Sequence, residues 1–231
     1  GFTNAADGLM AIKRLVFEQE RVSMDELLAA LDADFVEWED LQRDLLECPK
    51  FGNDNDEVDE ILVETWRRIN QAGARAGEAV GMDFFTVSSV NPGGYHMGKQ
   101  CGATPDGRKC GMPFAIGHAP TAGRDTNGIT AFLKSVAKAD PANGGVATNV
   151  KLGSEYFAKS REKLDAMFQA FWKQGGQQAS VTVVRQEDLE AAMEEPEKYP
   201  HVLVRVGGWA ARFVDLERRV QEDIIRRTAY A

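Results

Sequence analysis

The chain has 231 residues, 43% hydrophobic and 27% charged, which allows one large domain or two small ones. Its net charge of −9 argues against nucleic acid as a main partner, because phosphate contacts need clustered Lys and Arg. No apolar run approaches bilayer length and no signal-peptide pattern is present, so the expectation is a cytoplasmic protein with no membrane partner. The 3 cysteines, Cys48, Cys101 and Cys110, form no CxxC pair, which argues against a disulfide framework and fits a reducing compartment. The chain opens on Gly1 and runs at once into helical sequence, as a piece of a longer protein would.

The first eighty or so residues read as helices. "ADGLMAIKRLVF" places Leu9, Ile12, Leu15 and Val16 on one face. "SMDE" at Ser23–Glu26 is a capping-box pattern and predicts a helix running through Leu31. Phe35–Leu46 predicts another, stopped by Pro49, and "PKFGNDND" a loop; Glu57 to about Ala76 predicts a longer helix. At Met82 the character changes, and "MDFFTVSSV" is strand-like, rich in β-branched and aromatic residues. Asn91–Gly128 is dense in Gly and Pro and reads as a long loop, whose apolar residues argue for order and so for function. Helices are then predicted over Ile129–Ala139 and Glu155–Lys173, the second with Leu164, Met167, Phe168, Phe171 and Trp172 as a core stripe. "QASVTVV" (Gln178–Val184) is a predicted strand, "EDLEAAMEE" a short helix, "HVLVRV" a strand, and Glu217–Thr228 a closing helix. Strands alternating with helices indicate an α/β architecture.

Conventional active-site chemistry is not visible. His96, Cys101, Cys110 and His118 share one loop region, but H-x4-C-x8-C-x7-H matches no usual zinc pattern. "GGYHMGK" lacks the G-x4-G-K-[ST] spacing of a phosphate loop, and neither GxGxxG nor GxSxG occurs. The unusual feature is "LVRVGGWAARFVDL" (Leu203–Leu216), where Gly207 and Gly208 interrupt a run that otherwise reads as a buried strand. Glycine weakens a strand, so a Gly-Gly pair there needs a reason. A tight turn is one reason.

A second reason comes from resemblance. "CGATPDGRKCGMPFAIGHAPTAGRDTNGITAFLKSVAK" (Cys101–Lys138), "GGQQASVTVVRQEDLEAAMEEPEKYP" (Gly175–Pro200) and "VRVGGWAARF" (Val204–Phe213) resemble, in that order, the C-terminal region of glycyl radical enzymes, the family of pyruvate formate-lyase. Gly1–Gly52 resembles the helical stretch before the radical domain in the dehydratase and decarboxylase branches. In the family's RV-x-G-[YFW] pattern the second glycine carries a stable backbone radical, and that position is Gly208. The residue type follows from the chemistry. A Cα radical is stabilised jointly by the amide nitrogen on one side and the carbonyl on the other, and that delocalisation needs a planar carbon that a side chain would crowd.

The resemblance implies Arg205, Gly207 and Trp209 as supports of the radical loop, with Trp209 shielding it, and Thr86 and Ser88 on "FFTVSSV" as residues of a substrate pocket. It implies an α/β fold: the C-terminal portion of a ten-stranded barrel of two five-stranded half-barrels, with outer helices and a glycine-radical finger loop. Residues 1–101 would be the C-terminal part of the barrel, mostly helical with one strand near 83–90, and residues 102–231 the glycine radical domain. The chemistry implied is that of a lyase of the decarboxylase or dehydratase branch acting on a small organic molecule. The alternatives are a fumarate-adding aryl- or alkylsuccinate synthase, or a stand-alone radical-carrying subunit that complements another chain. No bound cofactor or metal is implied. The Gly208 radical is itself a protein-derived cofactor, installed by a radical-SAM activating enzyme that uses an iron–sulfur cluster and S-adenosylmethionine. The intact enzyme is expected as a homodimer.

Departures are Gly207 in place of the usual Ser or Ala, Trp209 in place of Tyr, and Thr182-Val183-Val184 in place of NVV. They point away from pyruvate formate-lyase itself. Family members also pass the radical to a thiyl cysteine far upstream, and Cys48, Cys101 and Cys110 match neither its motif nor its place. The expected remaining partner is therefore an N-terminal remainder or second subunit carrying that cysteine, with the present chain a C-terminal fragment or one half of a split enzyme.

Overall fold

A computed structural model describes residues 1–88, 93–139, 145–153, 161–206, 209–227 and 229–230. Four helices come first: α1 (Phe2–Ile12), α2 (Met24–Asp32), α3 (Glu39–Glu47) and α4 (Asp56–Val80). A π-helical turn, Lys13–Glu18, extends α1. The capping box at α2 forms as the sequence predicts, with the Glu26 amide donating to Ser23 Oγ and the Ser23 amide to the Glu26 carboxylate. Asn55 caps α4 in the same manner, accepting from the Glu57 amide at 3.0 Å. α3 starts later than Phe35, because Asp34, Phe35 and Glu37 all take positive φ in a turn that drives Phe35 fully into the core. On α1 the buried face is Ala6, Asp7, Met10 and Ala11 rather than the one through Leu9, which is 48% exposed.

The stretch near 83–90 departs from the expected strand. Residues 82–87 have no ladder, and Ser88 makes one isolated parallel bridge, to Val146; residues 89–90 lie outside the described residues. A strand is defined by its neighbour, and here the backbone meets one at a single point. Next comes a helix the Gly-rich sequence conceals, α5 (Gly93–Gln100). Its glycines bring loop backbone against the helix: a Cβ on Gly98 would stand 2.3 Å from the Met112 carbonyl oxygen. The remaining elements are α6 (Gly128–Lys138), β1 (Asn149–Leu152), α7 (Arg161–Lys173), β2 (Ser180–Val183), α8 (Gln186–Glu194), β3 (Leu203–Arg205), β4 (Ala210–Arg212), α9 (Arg218–Arg226) and β5 (Ala229–Tyr230). The predicted ends of the α7 and α9 helices at 155–160 and 228 fall outside the described residues.

The strands make two sheets, a parallel one in the order β2-β1-β5 and an antiparallel pair, β3-β4. One core joins α1, α4, α6, α7 and β1 through Met10, Leu62, Phe132, Leu152 and Phe171. A second gathers α2 and α3 around Phe35 and Leu45, and a third packs α8, β3 and α9 around Leu189, Phe213 and Ile224. In the α7 stripe Leu164 and Phe171 are buried, whereas Trp172 is mostly outside.

A seam of buried polar groups joins α1 to the loop of residues 101–127. The Asn4 amide donates to Asp106 Oδ2 at 2.7 Å and accepts from the Ala115 amide at 2.8 Å, and the Thr3 hydroxyl donates to the Ala119 carbonyl. Asp7, fully buried, accepts from the Phe51 amide at 2.8 Å. Burial pushes the Asp7 carboxyl up from 3.8 to about 7, against the Phe51 hydrogen bond and nearby Lys50, and Asp106 adds to the rise. The folded state thus holds a proton that the unfolded chain gives up, so the stability Asp7 contributes is complete below about pH 4 and lost as pH rises to about 7. Asp7→Asn keeps the acceptor and removes the titration. Across that window the variant should gain on the order of 4 kcal/mol relative to the parent in urea unfolding, and equal slopes for the two proteins would contradict this account of the seam.

Candidate active site

The Gly-Gly stretch sits between β3 and β4. Their antiparallel register pairs Leu203 with Arg212, Val204 with Ala211 and Arg205 with Ala210. Beyond the ladder, the Val206 amide donates to the Trp209 carbonyl at 3.1 Å, and at the other end the Phe213 amide donates to the Val202 carbonyl at 2.8 Å. The ladder therefore closes on Val206 and Trp209, and just two residues connect them. Those two are Gly207 and Gly208, which lie outside the described residues. A two-residue connection between antiparallel strands asks for positive φ, which glycine meets without steric cost.

Alternation along β3 fixes the hairpin on the body of the protein. Val202, Val204 and Val206 point inward and are buried, whereas Leu203 is 59% exposed. The three valines join Phe213, Leu189 and Ile224 in the third core. Hydrogen-bonded pairs fall at 202–213 and 206–209, every second position, so Arg205 faces Ala210 in a non-hydrogen-bonded pair and its amide points away from β4. That amide donates to the Thr182 hydroxyl on β2 at 3.0 Å. Trp209 is 51% exposed in this chain, so the shield expected from it is not packed against the described residues.

Thr86 and Ser88 share one face of the 82–88 stretch, half-buried and buried respectively, while Phe85 and Val87 on the other face are exposed. Thr86 lies close to α4, where a Cβ on Gly73 would meet its hydroxyl at 3.4 Å. The cysteines are dispersed: Cys48 is buried in the second core, Cys101 half-buried and Cys110 exposed, all as free thiols. Burial pushes the Cys48 thiol up, which makes it a poor thiolate.

The His/Cys set is not assembled as a metal site. His118 is fully buried between the rings of Phe2 and Trp66, each centroid 5.0 Å away, and neither nitrogen has a hydrogen-bond partner among the described residues. Burial lowers its pKa to about 4, so the ring packs as a neutral aromatic. Among the described residues the close carboxylate group is Asp54, Asp56 and Asp59, and the Lys138 ammonium fills it at 3.0, 2.7 and 2.8 Å. A lysine there does the work of a cation.

The "PDGR" stretch is a structural staple. Gly107 takes φ of +91°, and a Cβ there would lie 2.6 Å from Leu46. The Arg108 guanidinium is buried, donating to the carbonyls of Lys109 and Met112 at 3.0 and 2.7 Å, to those of Cys101 and Gly102, and to Thr104 Oγ1 at 3.1 Å. It also lies 4.1 Å from the Phe114 ring centre. Beside this loop is a cavity of about 410 Å³ lined by Lys50, Arg108, Lys151, Asp223 and Arg227 among others. Lys151 caps the end of α9, donating to the carbonyls of Ile224 and Ile225 at 3.1 and 3.0 Å, and burial with Arg227 nearby lowers its pKa to about 8. None of Arg205, Trp209, Thr86 and Ser88 lines the cavity. The sequence marks Thr182 only as a departure from the family's NVV and gives it no role; its signal is a hydroxyl at an inward position of a strand that borders the hairpin.

The hairpin ladder closes on Val206 and Trp209 above a floor of buried valines, so the connection between its strands is marked by backbone rather than by a side chain. The family description "Pyruvate formate lyase-like" matches residues 1–92 and "Glycine radical" matches residues 114–214. The chain belongs to the glycyl radical enzymes. It is 34% identical to an isethionate sulfite-lyase of Bilophila wadsworthia, covering 100% of this chain and 28% of that protein. It is 32% identical to the trans-4-hydroxy-L-proline dehydratase of Clostridioides difficile, covering 99% and 29%. Among solved structures, the glycerol-bound B12-independent glycerol dehydratase of Clostridium butyricum superposes with a TM-score of 0.94 at 34% identity, over 100% of this chain and 30% of that one. The chain thus spans about three-tenths of the length of these relatives.

Arg108→Lys removes the planar fork while keeping the charge. It should cost on the order of 3 kcal/mol and speed tryptic cleavage after exposed Lys109. An unchanged cleavage rate would show that the loop is held by other contacts.

Proposed function

We propose that this chain is the radical-bearing C-terminal part of a glycyl radical lyase, with Gly208 as the radical residue. The observation that carries the reading is the hairpin: its ladder leaves two residues between Val206 and Trp209, and the second is the glycine that the RV-x-G-[aromatic] pattern selects. Residues 1–101 belong in this reading to the barrel and residues 102–231 to the radical domain. The whole enzyme is a ten-stranded α/β barrel with the β3–β4 hairpin as the finger reaching its centre. Phe85 and Val87, exposed on one face of the 82–88 stretch, suit such a barrel, where further parts of the protein would cover them.

The chemistry runs in two hydrogen-atom transfers. A radical-SAM activating enzyme supplies a deoxyadenosyl radical, which takes one hydrogen from the Gly208 α-carbon and leaves as deoxyadenosine. The glycyl radical then takes the hydrogen of a thiol on the remainder of the enzyme, restoring glycine and leaving a thiyl radical that starts substrate chemistry. Gly207 and Arg205 set the hairpin's shape, and Trp209 presents an aromatic face that the barrel covers. Thr86 and Ser88 line the substrate pocket. The substrate is a small organic molecule that loses a carbon–heteroatom or carbon–carbon bond, a reading supported by relatives named as dehydratases, a decarboxylase and sulfite-lyases.

Anaerobic activation with S-adenosylmethionine, reductant and an activase competent on relatives should give a doublet paramagnetic resonance signal, one α-hydrogen coupling to the spin. Deuterated glycine should collapse the doublet. Gly208→Ala should abolish the signal and Gly207→Ala should retain much of it, because only the first places a methyl group on the radical carbon. A doublet that survives Gly208→Ala would place the radical elsewhere.

A further inference from the structure

The β3–β4 pair is a two-stranded sheet, and neither strand belongs to the parallel sheet β2-β1-β5. A hairpin of this size is marginal by itself and takes its position from whatever it packs on. Its inner face rests on valines, which resist lifting but allow sliding, since apolar contact is non-directional. A directional restraint is needed to fix its position along β2. The Arg205 amide, turned outward by the pairing alternation, meets the hydroxyl of Thr182 at 3.0 Å. Thr182 is itself held: it is 7% exposed, and its backbone is paired in parallel register with Lys151 of β1. A β-branched side chain on a strand has little χ1 freedom, so its oxygen is presented in one place.

We infer that Thr182 is a positioning residue for the radical hairpin, whose hydroxyl sets the distance between the finger tip and the rest of the active site by anchoring the Arg205 amide. The inference rests on Gly208 as the radical residue. Arg205 lies three residues before Gly208, on the strand that leads into the connection, so a shift at the anchor is carried toward the tip. Hydrogen-atom transfer needs the donor and acceptor atoms in near contact, and a misplacement of about 1 Å is enough to cost ~100-fold in such steps. Thr182 touches no reacting atom. Its effect is on where Gly208 stands.

The test uses the full chain with three variants: Thr182→Val, which keeps the shape and removes the acceptor, and Thr182→Ser and Thr182→Asn, which keep an acceptor. Two readouts are taken at equal fraction folded, judged by circular dichroism. Hydrogen exchange at the Arg205 amide, which needs no radical, should quicken at least tenfold in Thr182→Val and stay near the parent rate in Thr182→Ser. The glycyl doublet after activation should fall several-fold in yield in Thr182→Val and recover in Thr182→Ser and Thr182→Asn. Unchanged exchange in Thr182→Val would overturn the anchor, and altered exchange with an unaltered doublet would overturn the positioning role. A parent chain lacking any Gly208 doublet would instead sink the radical reading, and the positioning role with it, while the exchange measurement still reported the anchor.

Discussion

Asn4 and Asp106 are separated by 102 residues and meet at 2.7 Å in the protein interior. The rest of the structure depends on that contact and its neighbours. A loop rich in Gly and Pro has no ladder of its own, so its buried backbone groups must find partners elsewhere. The side chains of Thr3 and Asn4 on α1 and the guanidinium of Arg108 supply them. Because α1 also packs in the core that holds α4, α6 and β1, the loop is tied through α1 to the middle of the chain as well as to its first helix. From β1 the order passes by parallel pairing to β2, and from Thr182 on β2 to the hairpin.

That chain of contacts suits a backbone reaction centre. A side-chain catalyst can be aimed by rotamer choice, but a radical on Cα can be placed only by placing the backbone. Among the described residues the hairpin is held in register by a valine floor, a two-residue connection and an outward amide with a fixed acceptor. The carboxylate triad is filled by Lys138, and the buried His118 is held neutral between two aromatic rings.

What the sequence made legible follows from how local each signal was. The Ser23–Glu26 capping box needs only four residues and formed as read. The strand β2 and the helices α4 and α6 were legible from periodicity within a residue or a few. α5 was not, because its glycines read as loop until the loop backbone they admit is in view. Leu9 was placed in the core because it fits the helical period, yet the partner surfaces of α1 lie toward Asp7 and Met10, which only tertiary packing decides. The stretch near 83–90 has strand composition but a single bridge, since pairing is a property of the neighbour. At the site, Gly208 was legible as a motif, whereas Thr182 drew notice only as a departure from one; its link to Arg205 spans 23 residues and leaves no spacing signature.

Oxygen gives the most direct test of the claim that the backbone itself carries the radical at this glycine. Molecular oxygen adds to a Cα radical and breaks the chain there, so brief exposure of the anaerobically activated protein to air should yield two fragments. Intact-mass spectrometry should find a truncated large fragment ending at residue 207 or 208 and a short C-terminal peptide beginning near Trp209. An activated chain that stays whole in air, or is cut at any other position, would contradict the account.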